Sequence, residues 1–424
     1  MTADDLRVLV LARAVYPWHG VGGLERHVHD LVRHLLARGV RLTLVSPPPR
    51  RGANREAFRD ARLTTCFVPY RTFPFAGRRG TTIIDRSTAY PIFGWRAGRL
   101  AQRLVEQGRA QIVHGLGASA LGYARARARD RFETVPLVLN PQGLEEFGAT
   151  DPARAPLKRL AYRPLQAAVR ACARAADRVL ATDEALVPVV LEHLPVTPGR
   201  VQVVPNAVDL ERIDAYAARG ADHIGELRRT VGCGEDEALF VAAGRLESNK
   251  GFHVLIEALA KLAAGRAEPR WRLVIVGDGP RRRPLERQVR AAGLGARIRL
   301  IGRVSDEIVH AWYAAATLFV HPTLYEGSSL VTLEAMAHGR AVVATAAGGI
   351  PDKVTPGVTG WLVPPGDAPA LTAALRSALS NHSRLTAMGR AGREVVERTF
   401  SWQAATDRLL AVYRDVLAGR SRGA

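Results

Sequence analysis

Two glutamates bracket a turn of small residues in the segment YEGSSLVTLEAMAHG, which spans residues 325–339. Glu326 lies before the turn, and Glu334 lies within an apolar helical pattern that ends at Gly339. A carboxylate just outside a helix start is suited to accept hydrogen bonds from hydroxyl groups such as those of a sugar. The alternative is that Glu326 is only a favourable charge near a helix start and Glu334 an exposed helical residue.

The turn between the two glutamates is where we expect an anion. The helix is predicted to begin at Ser328 or Ser329, so its first backbone amides have no partner within the helix. Gly327 lets a ligand approach these amides closely, and a helix N-terminus favours negative charge. The residues that would present this turn to a ligand are Gly327, Ser328, Ser329 and Leu330.

Two basic residues follow another apolar run. The run is LFVAA, residues 239–243, and the next eight residues, 244–251, read GRLESNKG. Ligands of doubly wound sheets bind at the carboxyl ends of strands. Arg245 and Lys250 would therefore clamp a diphosphate that faces the helix start at Ser328. The alternative interpretation is two solvated cations.

Glycines end the next two predicted strands. One strand is followed by GDGP, residues 277–280, and the next by Gly302 and Arg303. At Gly277 and Gly302 a flat nucleotide base would be able to lie against the main chain. A simple turn would explain GDGP equally well.

A glycine pair joins the first strand to the first helix. Residues 20–25 read GVGGLE, which is not the G-x-G-x-x-G pattern with an acidic residue about 20 positions later, so a nicotinamide cofactor is poorly supported. The amides of Gly22 and Gly23 would nevertheless be able to reach a phosphate. The alternative is a tight strand-to-helix connection.

The elements that position these loops alternate between strands and helices. Residues 6–45 contain a strand, a glycine-rich turn, a helix that ends before Gly39, and a second strand. Further apolar runs lie at 111–114, 136–140, 178–181 and 201–204, and then at 238–243, 273–276, 298–301, 318–320 and 341–344. This rhythm predicts two doubly wound α/β domains, and the break at PNAVD, residues 205–209, marks the border.

Length and composition agree with two domains. The chain has 424 residues, of which 47% are hydrophobic and 24% are charged, so ample cores can form. Its three cysteines lack metal-type spacing, which favours a reduced cytosolic protein. No apolar run approaches a membrane span, and the first run contains Arg7 and Arg13, unlike a signal peptide. We therefore expect a cytoplasmic protein, at most peripheral at the inner face of the membrane.

The chain is strongly basic, with a formal net charge of +20. Residues 1–210 hold 31 Lys and Arg against 18 Asp and Glu, and the remainder holds 29 against 22. Such a surface attracts anionic lipid, nucleic acid and phosphorylated substrates, although a compositional bias toward arginine would also produce it. Aromatic residues are 6% of the chain and do not cluster, which argues against nucleic acid. Residues 154–174 form a basic amphipathic segment that would lie on an anionic membrane surface or pack on its own core.

Taken together, these motifs resemble family 4 of the nucleotide-sugar-dependent glycosyltransferases. The Glu-x7-Glu pair alone is weak, but the ordered set is specific and covers nearly the whole chain. Its members are Gly22-Gly23, PNAVD at 205–209, Gly244-Arg245 with Lys250-Gly251, GDGP at 277–280, the glutamate pair, GGIP at 348–351 and GWLV at 360–363.

The resemblance implies the GT-B fold, in which two Rossmann-like domains face across a cleft. The acceptor-side domain would span 1–205 and the nucleotide-sugar-binding domain 206–401, with a C-terminal helix, about 402–424, that returns to the N-terminal domain. The reaction would retain the anomeric configuration and use a UDP- or GDP-sugar. The acceptor would be a glycan, a lipid-linked or a small molecule, as in polysaccharide biosynthesis. No cofactor is expected, because the sugar nucleotide is a substrate, and no metal, because Asp-x-Asp is absent.

The resemblance also implies roles for individual residues. Glu326 would contact the donor sugar and Glu334 the ribose of the nucleotide. Arg245 and Lys250, with the amides of residues 327–330, would hold the diphosphate, where charge accumulates as the C1–O bond of the sugar breaks.

The N-terminal domain departs from the family pattern. Gly22 and Gly23 would approach the same phosphates, but the family often carries His-x-His after a strand, and here Leu116 stands two positions after His114. Asn140 likewise stands near a position where the family often has a histidine. His114 would bind donor or acceptor as a catalytic residue, or it would be a structural histidine at a strand end.

Two other functions remain open at this point. A nucleotide-sugar 2-epimerase would also use two Rossmann-like domains. A non-enzymatic basic binding protein would rest on the charge alone.

Overall fold

The chain folds into two compact units. The computed structural model describes residues 6–20, 22–54, 58–70, 81–129, 134–142, 144–147, 160–265, 270–380 and 382–421. The N-terminal unit comprises Met1–Pro205 and Ala405–Ala424, and the C-terminal unit comprises Asn206–Ala404.

A parallel sheet of seven strands forms the centre of the N-terminal unit. Its strands are β1 (Arg7–Leu11), β2 (Arg41–Ser46), β3 (Leu63–Phe67), β4 (Ile112–Leu116), β5 (Leu137–Asn140), β6 (Arg178–Ala181) and β7 (Val201–Val203). They lie in the order β3-β2-β1-β4-β5-β6-β7, and every neighbouring pair is parallel. Strands β4 and β5 are buried along their whole length, which explains why they read as continuous apolar runs.

Helices flank this sheet. They are α1 (Gly23–Ala37), α2 (Thr81–Glu106), α3 (Leu121–Arg127), α4 (Arg163–Ala175) and α5 (Val187–His193). Helix α1 ends as predicted: Gly39 has φ of +87°, its amide donates to Leu36 O at 2.9 Å, and the next amide, that of Val40, donates to Leu35 O at 3.1 Å.

The C-terminal unit is built on a second parallel sheet, with six strands. Its strands are β8 (Ala238–Ala243), β9 (Trp271–Val276), β10 (Ile298–Gly302), β11 (Leu318–His321), β12 (Val342–Thr345) and β13 (Gly360–Val363), in the order β10-β9-β8-β11-β12-β13. Its helices are α6 (Leu210–Gly220), α7 (Ile224–Thr230), α8 (Phe252–Ala263), α9 (Arg282–Ala291), α10 (Asp306–Ala315), α11 (Leu330–Ala337), α12 (Ala368–Leu379) and α13 (His382–Val395).

Hydrophobic packing covers both faces of the second sheet. Phe240 and Ala242 of β8 belong to one buried cluster, whereas Leu239 and Val241 belong to another. Successive residues of a strand point to opposite faces, so the two clusters lie on the two faces. The predicted class, two doubly wound α/β sheets of the Rossmann type, is confirmed.

In each sheet the strand order reverses direction at one point. The reversal lies between β1 and β4 in the N-terminal unit and between β8 and β11 in the C-terminal unit. Ligands of open α/β sheets bind outside the carboxyl ends of the strands at such a switch point. The loops after these four strands are therefore the positions at which to look for a site.

The last helix, α14 (Trp402–Ser421), contributes its residues from Ala405 onward to the N-terminal unit. The Tyr413 hydroxyl lies 2.6 Å from Nδ1 of His114 on β4. Asp415 accepts a hydrogen bond from Arg178 at 2.5 Å. These contacts anchor the end of the chain to the N-terminal sheet.

The basic segment at 154–174 packs on the protein's own core where it is described. Leu165, Val169 and Cys172 of α4 are all buried, so this apolar stripe is not available to a bilayer. Residues 154–159 of that prediction lie outside the described part of the chain. Among the described helices, none combines the length and apolar character that a membrane crossing requires. Association with a membrane surface stays a prediction that rests on charge.

Candidate active site

The carboxyl ends of β8 and β11 bring a lysine, a histidine and a glutamate together. Lys250 Nζ donates to Glu326 Oε2 at 2.6 Å, and His321 Nε2 donates to the same oxygen at 3.2 Å. The side chains are 20%, 1% and 15% exposed for Lys250, His321 and Glu326. Because both contacts reach Oε2, the other oxygen, Oε1, has no hydrogen-bond partner among the described residues. That oxygen is suited to accept a bond from a substrate hydroxyl.

Backbone contacts hold this ion pair in place. The carbonyl oxygen of Asn249 accepts a hydrogen bond from the amide of Leu324 at 2.7 Å, which joins the loop after β8 to the loop after β11. Gly251 has φ of +66°, and a Cβ there would lie 1.9 Å from the carbonyl oxygen of Pro322. Only glycine fits this close approach, so the chain on both sides of the lysine is pinned to the glutamate's loop.

Glu326 is ionised at neutral pH. Burial by itself would raise the pKa of this carboxyl. The hydrogen bond from His321 and the ammonium group of Lys250 outweigh burial and lower the pKa from 4.5 to about 2. A carboxyl with this pKa is a poor general acid, but it can accept hydrogen bonds and stabilise developing positive charge.

Helix α11 begins directly after this turn, as predicted. Ser329 is its N-cap, and its hydroxyl oxygen accepts from the amide of Thr332 at 3.4 Å. The hydroxyl of Ser328 is buried and has no partner among the described residues. The free amides of the first turn and this unpaired hydroxyl give a ligand polar groups to bind next to Glu326.

The loop after β12 contacts the backbone of the turn formed by Glu326 and Gly327. The amide of Gly349 donates to Gly327 O at 2.9 Å. Gly348 has φ of +53°, and a Cβ there would lie 1.8 Å from the carbonyl oxygen of Glu326. Lys353 is only 1% exposed, and its Nζ donates to Gly349 O at 2.9 Å. A buried ammonium group therefore holds the turn that contacts Glu326 and Gly327.

Glu334 lies on α11 and is held from the neighbouring helix. Its Oε2 accepts a hydrogen bond from the hydroxyl of Tyr313 at 3.1 Å. Burial, together with the charge of Glu334, raises the pKa of Tyr313 well above its usual value, so the tyrosine keeps its proton and donates. The carboxylate is thus oriented by a donor that does not titrate in the physiological range.

Arg245 is not brought to Glu326 in this structure. Its side chain is 72% exposed and forms an ion pair with Glu247, Nε to Oε1, at 2.9 Å. Lys250, five residues later on the same loop, does contact Glu326. Only one of the two predicted cations therefore lies at Glu326. The phosphate-binding role of both cations stays a prediction.

The glycines after β9 and β10 interlock the neighbouring loops. The amide of Gly277 donates to Gly302 O at 2.8 Å, and a Cβ at Gly277 would lie 1.9 Å from Gly244 O. Arg303 is exposed beyond this contact. Both glycines are half-buried, and their role in binding a base stays a prediction.

The switch point of the N-terminal unit holds a cavity of about 210 Å³. Three adjacent strands contribute to it: Arg13 follows β1, Gly117 follows β4, and Gln142 follows β5. The remaining lining residues are Leu24, Arg86, Tyr90, Pro141, Leu144, Glu146 and Leu165. This cavity is the counterpart of the Lys250–Glu326 site in the other unit.

The glycine pair borders this cavity through its neighbour Leu24. Gly22 is the N-cap of α1, and a Cβ there would lie 2.4 Å from a carboxylate oxygen of Glu25, whereas Gly23 has open space around it. Both glycines are exposed, and the carboxylate of Glu25 lies against Gly22. Their contact with a phosphate stays a prediction.

His114 is buried within the N-terminal sheet. It is 1% exposed, and Nδ1 lies 2.6 Å from the hydroxyl of Tyr413. Nε2 is buried with no partner among the described residues. Burial, with a further contribution from the nearby His27, lowers the pKa of His114 to about 3, so its ring is neutral. This environment favours the structural alternative stated above, and a catalytic role stays a prediction.

Sequence reasoning missed several residues of these sites. His321 is a polar residue at the end of an otherwise apolar, buried strand. That position is the signal by which the sequence could have identified it. Lys353, Arg13 and Gln142 carry no local signal beyond their polarity. In the described part of the chain, no three or more His, Cys, Asp or Glu side chains are grouped so that they would hold a metal ion.

Comparison with known proteins identifies the family. Residues 224–395 match the model described as "Glycosyl transferases group 1", and residues 21–212 match "Glycosyltransferase Family 4". D-inositol 3-phosphate glycosyltransferase 1 of Catenulispora acidiphila is 32% identical over 315 residues, which cover 72% of this chain and 72% of that protein. Further D-inositol 3-phosphate glycosyltransferases align over about half of their own length.

Solved structures share the fold at lower identity. Sucrose-phosphate synthase from Thermosynechococcus elongatus is 21% identical with a TM-score of 0.72, covering 98% of this chain and 100% of that one. Anabaena HepE in complex with UDP-glucose is 19% identical with a TM-score of 0.65, covering 97% and 100%. These likenesses establish the GT-B class. The two family models and the Catenulispora acidiphila relative, aligned over 72% of both chains, show that the chain belongs to family 4 of the glycosyltransferases and is a glycosyltransferase enzyme.

Proposed function

We propose that this enzyme is a retaining, metal-independent transferase that moves a hexosyl or related sugar from a UDP- or GDP-sugar. The C-terminal unit would bind the donor and the N-terminal unit the acceptor. The observation that carries the proposal is the ionised Glu326, held on one oxygen by Lys250 and His321 and open on the other.

The donor assignment rests on the chemistry around that carboxylate. A sugar nucleotide presents hydroxyls beside a diphosphate, and this turn offers an open carboxylate oxygen beside a helix N-terminus. HepE, which shares the fold, is described in complex with UDP-glucose. Both facts favour a nucleoside diphosphate sugar over a phosphate monoester or a free sugar as the donor.

The proposed reaction asks little covalent chemistry of the protein. The C1–O bond of the donor breaks, and its electron pair leaves with the nucleoside diphosphate. The acceptor oxygen forms the new bond to C1, and its proton leaves to the departing phosphate or to solvent. Lys250 and the amides at Ser329 and Leu330 would stabilise the leaving charge, and each preorganised donor of this kind contributes about 3 to 4 kcal/mol. Glu326 would orient the sugar and stabilise positive charge at C1.

The test is activity on defined donors. The wild-type chain should be screened by thermal shift against UDP-, GDP- and ADP-sugars, because a ligand that binds only the folded form adds about 2.7 kcal/mol at a hundredfold excess over its dissociation constant. With the stabilising donor, Glu326→Ala should lower the rate of sugar transfer or donor hydrolysis about 100-fold or more. Glu257→Gln, a change on the surface of α8 where Glu257 pairs with Lys261, is the matched control.

Product analysis separates the remaining alternatives. Acceptor-dependent release of nucleotide without an isomerised sugar excludes a 2-epimerase. Retention is read from the anomeric configuration of the product. Undiminished activity after exhaustive chelation supports metal independence, and full activity of folded Glu326→Ala would sink the assigned role.

A further inference from the structure

The cavity of the N-terminal unit combines two donors that lack partners. Arg13 lies with its guanidinium 5.1 Å from the centroid of the Tyr90 ring and forms no ion pair with a described residue. Nε2 of Gln142 is buried and has no hydrogen-bond partner in the described chain. Arg13 is half-buried, whereas the amide nitrogen of Gln142 is fully buried. Buried polar groups are almost always paired, so this amide beside a guanidinium without an ion pair indicates a ligand that supplies acceptors.

The strand between them ends in a glycine that keeps the space open. Gly117 has φ of +54°, and a Cβ there would lie 2.6 Å from the hydroxyl oxygen of Tyr90. That hydroxyl already donates to Leu116 O at 2.7 Å, so its proton is not available to a ligand. The cavity is therefore open between Arg13 and Gln142, whose strands β1 and β5 flank β4.

The backbone at the third strand end is strained. Gln142 has φ of +67° and Leu144 φ of +52°, a region that residues other than glycine rarely adopt. Such conformations persist where the surrounding structure enforces them, and they cluster at binding sites. Here the left-handed residue is the one that carries the unpaired amide.

The other charged lining groups leave the cavity positive. Arg86 adds a second guanidinium and the buried Glu146 one carboxyl group, so the lining holds two basic side chains and one acidic side chain. The carboxylate is suited to hydroxyl groups, and the guanidinium of Arg13 to an oxyanion. The volume of about 210 Å³ lies below that of sites for larger ligands and suits a single ring.

We propose that this cavity binds an acceptor that is one ring bearing hydroxyl groups and a phosphate monoester. Arg13 and Gln142 donate to the phosphate oxygens, and the ring hydroxyls face Glu146. This inference rests on the proposed function, because it treats the cavity as the acceptor site of the transferase.

The test measures binding to the full chain by calorimetry with matched pairs of probes. The pairs are myo-inositol 3-phosphate with myo-inositol and glucose 6-phosphate with glucose, and glucuronate represents a carboxylate. At least one phosphorylated probe should bind about 10-fold or more tightly than its neutral parent. Arg13→Met should weaken that binding about 10- to 100-fold, and Gln142→Leu should weaken it less.

A matched control lies on the same strand. Arg7 is at the opposite end of β1 and is exposed, so Arg7→Met should leave phosphate binding unchanged. Thermal melts verify that each variant is folded, and if Arg13→Met does not fold, Gln142→Leu carries the test. The proposal is overturned if no phosphorylated probe binds more tightly than its parent, including no binding at all, if glucuronate binds more tightly than both phosphates, or if the Arg7 and Arg13 variants behave alike.

The donor screen on the wild-type chain separates the two proposals. Stabilisation by a sugar nucleotide without selective phosphate binding would overturn only the acceptor class. Phosphate binding without stabilisation by any sugar nucleotide would overturn the proposed donor instead.

Discussion

Each unit has a candidate site where its strand order reverses. The two sites differ in whether their charged and polar side chains already have partners within the protein. In the C-terminal unit, Glu326 already has Lys250 and His321 as partners. In the N-terminal unit, Arg13 and the amide of Gln142 have no such partner among the described residues. A carboxylate that must stay ionised benefits from partners before substrate arrives, because they hold its pKa low. A site that selects an anion leaves its donors for the ligand.

The largest expected effect comes from a substitution that displaces the backbone of the Lys250–Glu326 site. In Gly348→Ala the new Cβ would lie 1.8 Å from the carbonyl oxygen of Glu326, and φ of +53° is strained for alanine. The clash falls on main chain, so the turn that carries Glu326 must shift and the contact between Glu326 and Lys250 is disturbed. We expect kcat/KM for sugar transfer to fall about 100-fold, as misplacement by about 1 Å can cause.

Gly293→Ala is the control for this prediction. Gly293 has a similar φ of +70°, but a Cβ there would meet nothing within 4 Å. Its transfer rate should stay close to that of the wild type, and phosphate binding by the N-terminal cavity should be equal in both variants. Similar losses of activity in the two alanine variants would show that backbone strain, rather than the contact with Glu326, is responsible.

A smaller effect is expected where the clamp is removed without a clash. Lys353→Met keeps an unbranched side chain of similar length but removes the hydrogen bond to Gly349 O. In the wild type the buried charge of Lys353 is costly, and in the variant the unpaired carbonyl group of Gly349 is costly. These costs partly cancel, so the free energy of unfolding should change by no more than about 2 kcal/mol. The looser turn should raise the donor KM about tenfold.

Two variants sharpen the test of Lys353. Lys353→Arg should restore part of the donor affinity, because it keeps a buried cation and donor. Lys261→Met removes a lysine that is half exposed and paired with Glu257, and it should leave the donor KM unchanged. A donor KM that follows only the loss of stability across these variants would contradict a positioning role for Lys353.

The smallest expected effect on catalysis is that of lowering the pH. Because the pKa of Glu326 is lowered from 4.5 to about 2, this residue should add no acid limb to the transfer rate above pH 4.5. A carboxyl whose folded pKa is depressed contributes stability above its unfolded pKa and loses it as pH falls through the folded value. Denaturant unfolding should therefore show that the wild type loses more stability than Glu326→Gln between pH 4.5 and pH 2. Equal losses would mean that the partners do not hold the proton off Glu326.

Much of the candidate site in the C-terminal unit could be predicted from local patterns. Apolar runs predicted eleven of the thirteen strands of the two sheets close to where they lie, and the helix start at Ser329 follows from small polar residues before an apolar repeat. Two strands were missed for physical reasons. Strand β3 lies at the sheet edge with no fully buried residue, and β13 is four residues long and half buried, so neither presents a strong apolar signal. Helix α2 contains Pro91, which reads as a break.

By itself, the sequence determined which loops follow strands and which residues lie on them, because periodicity and glycine placement are properties of neighbouring residues. It therefore placed Glu326, Lys250 and the amides from Gly327 to Leu330 at strand ends. Only the tertiary structure decided which strand ends are neighbours. The order in which strands pair brings Lys250 to Glu326 across 76 residues, leaves Arg245 with Glu247, and sets Arg13, Gly117 and Gln142 side by side. Strand order depends on the packing of whole helices and sheets, and no local pattern of residues encodes it.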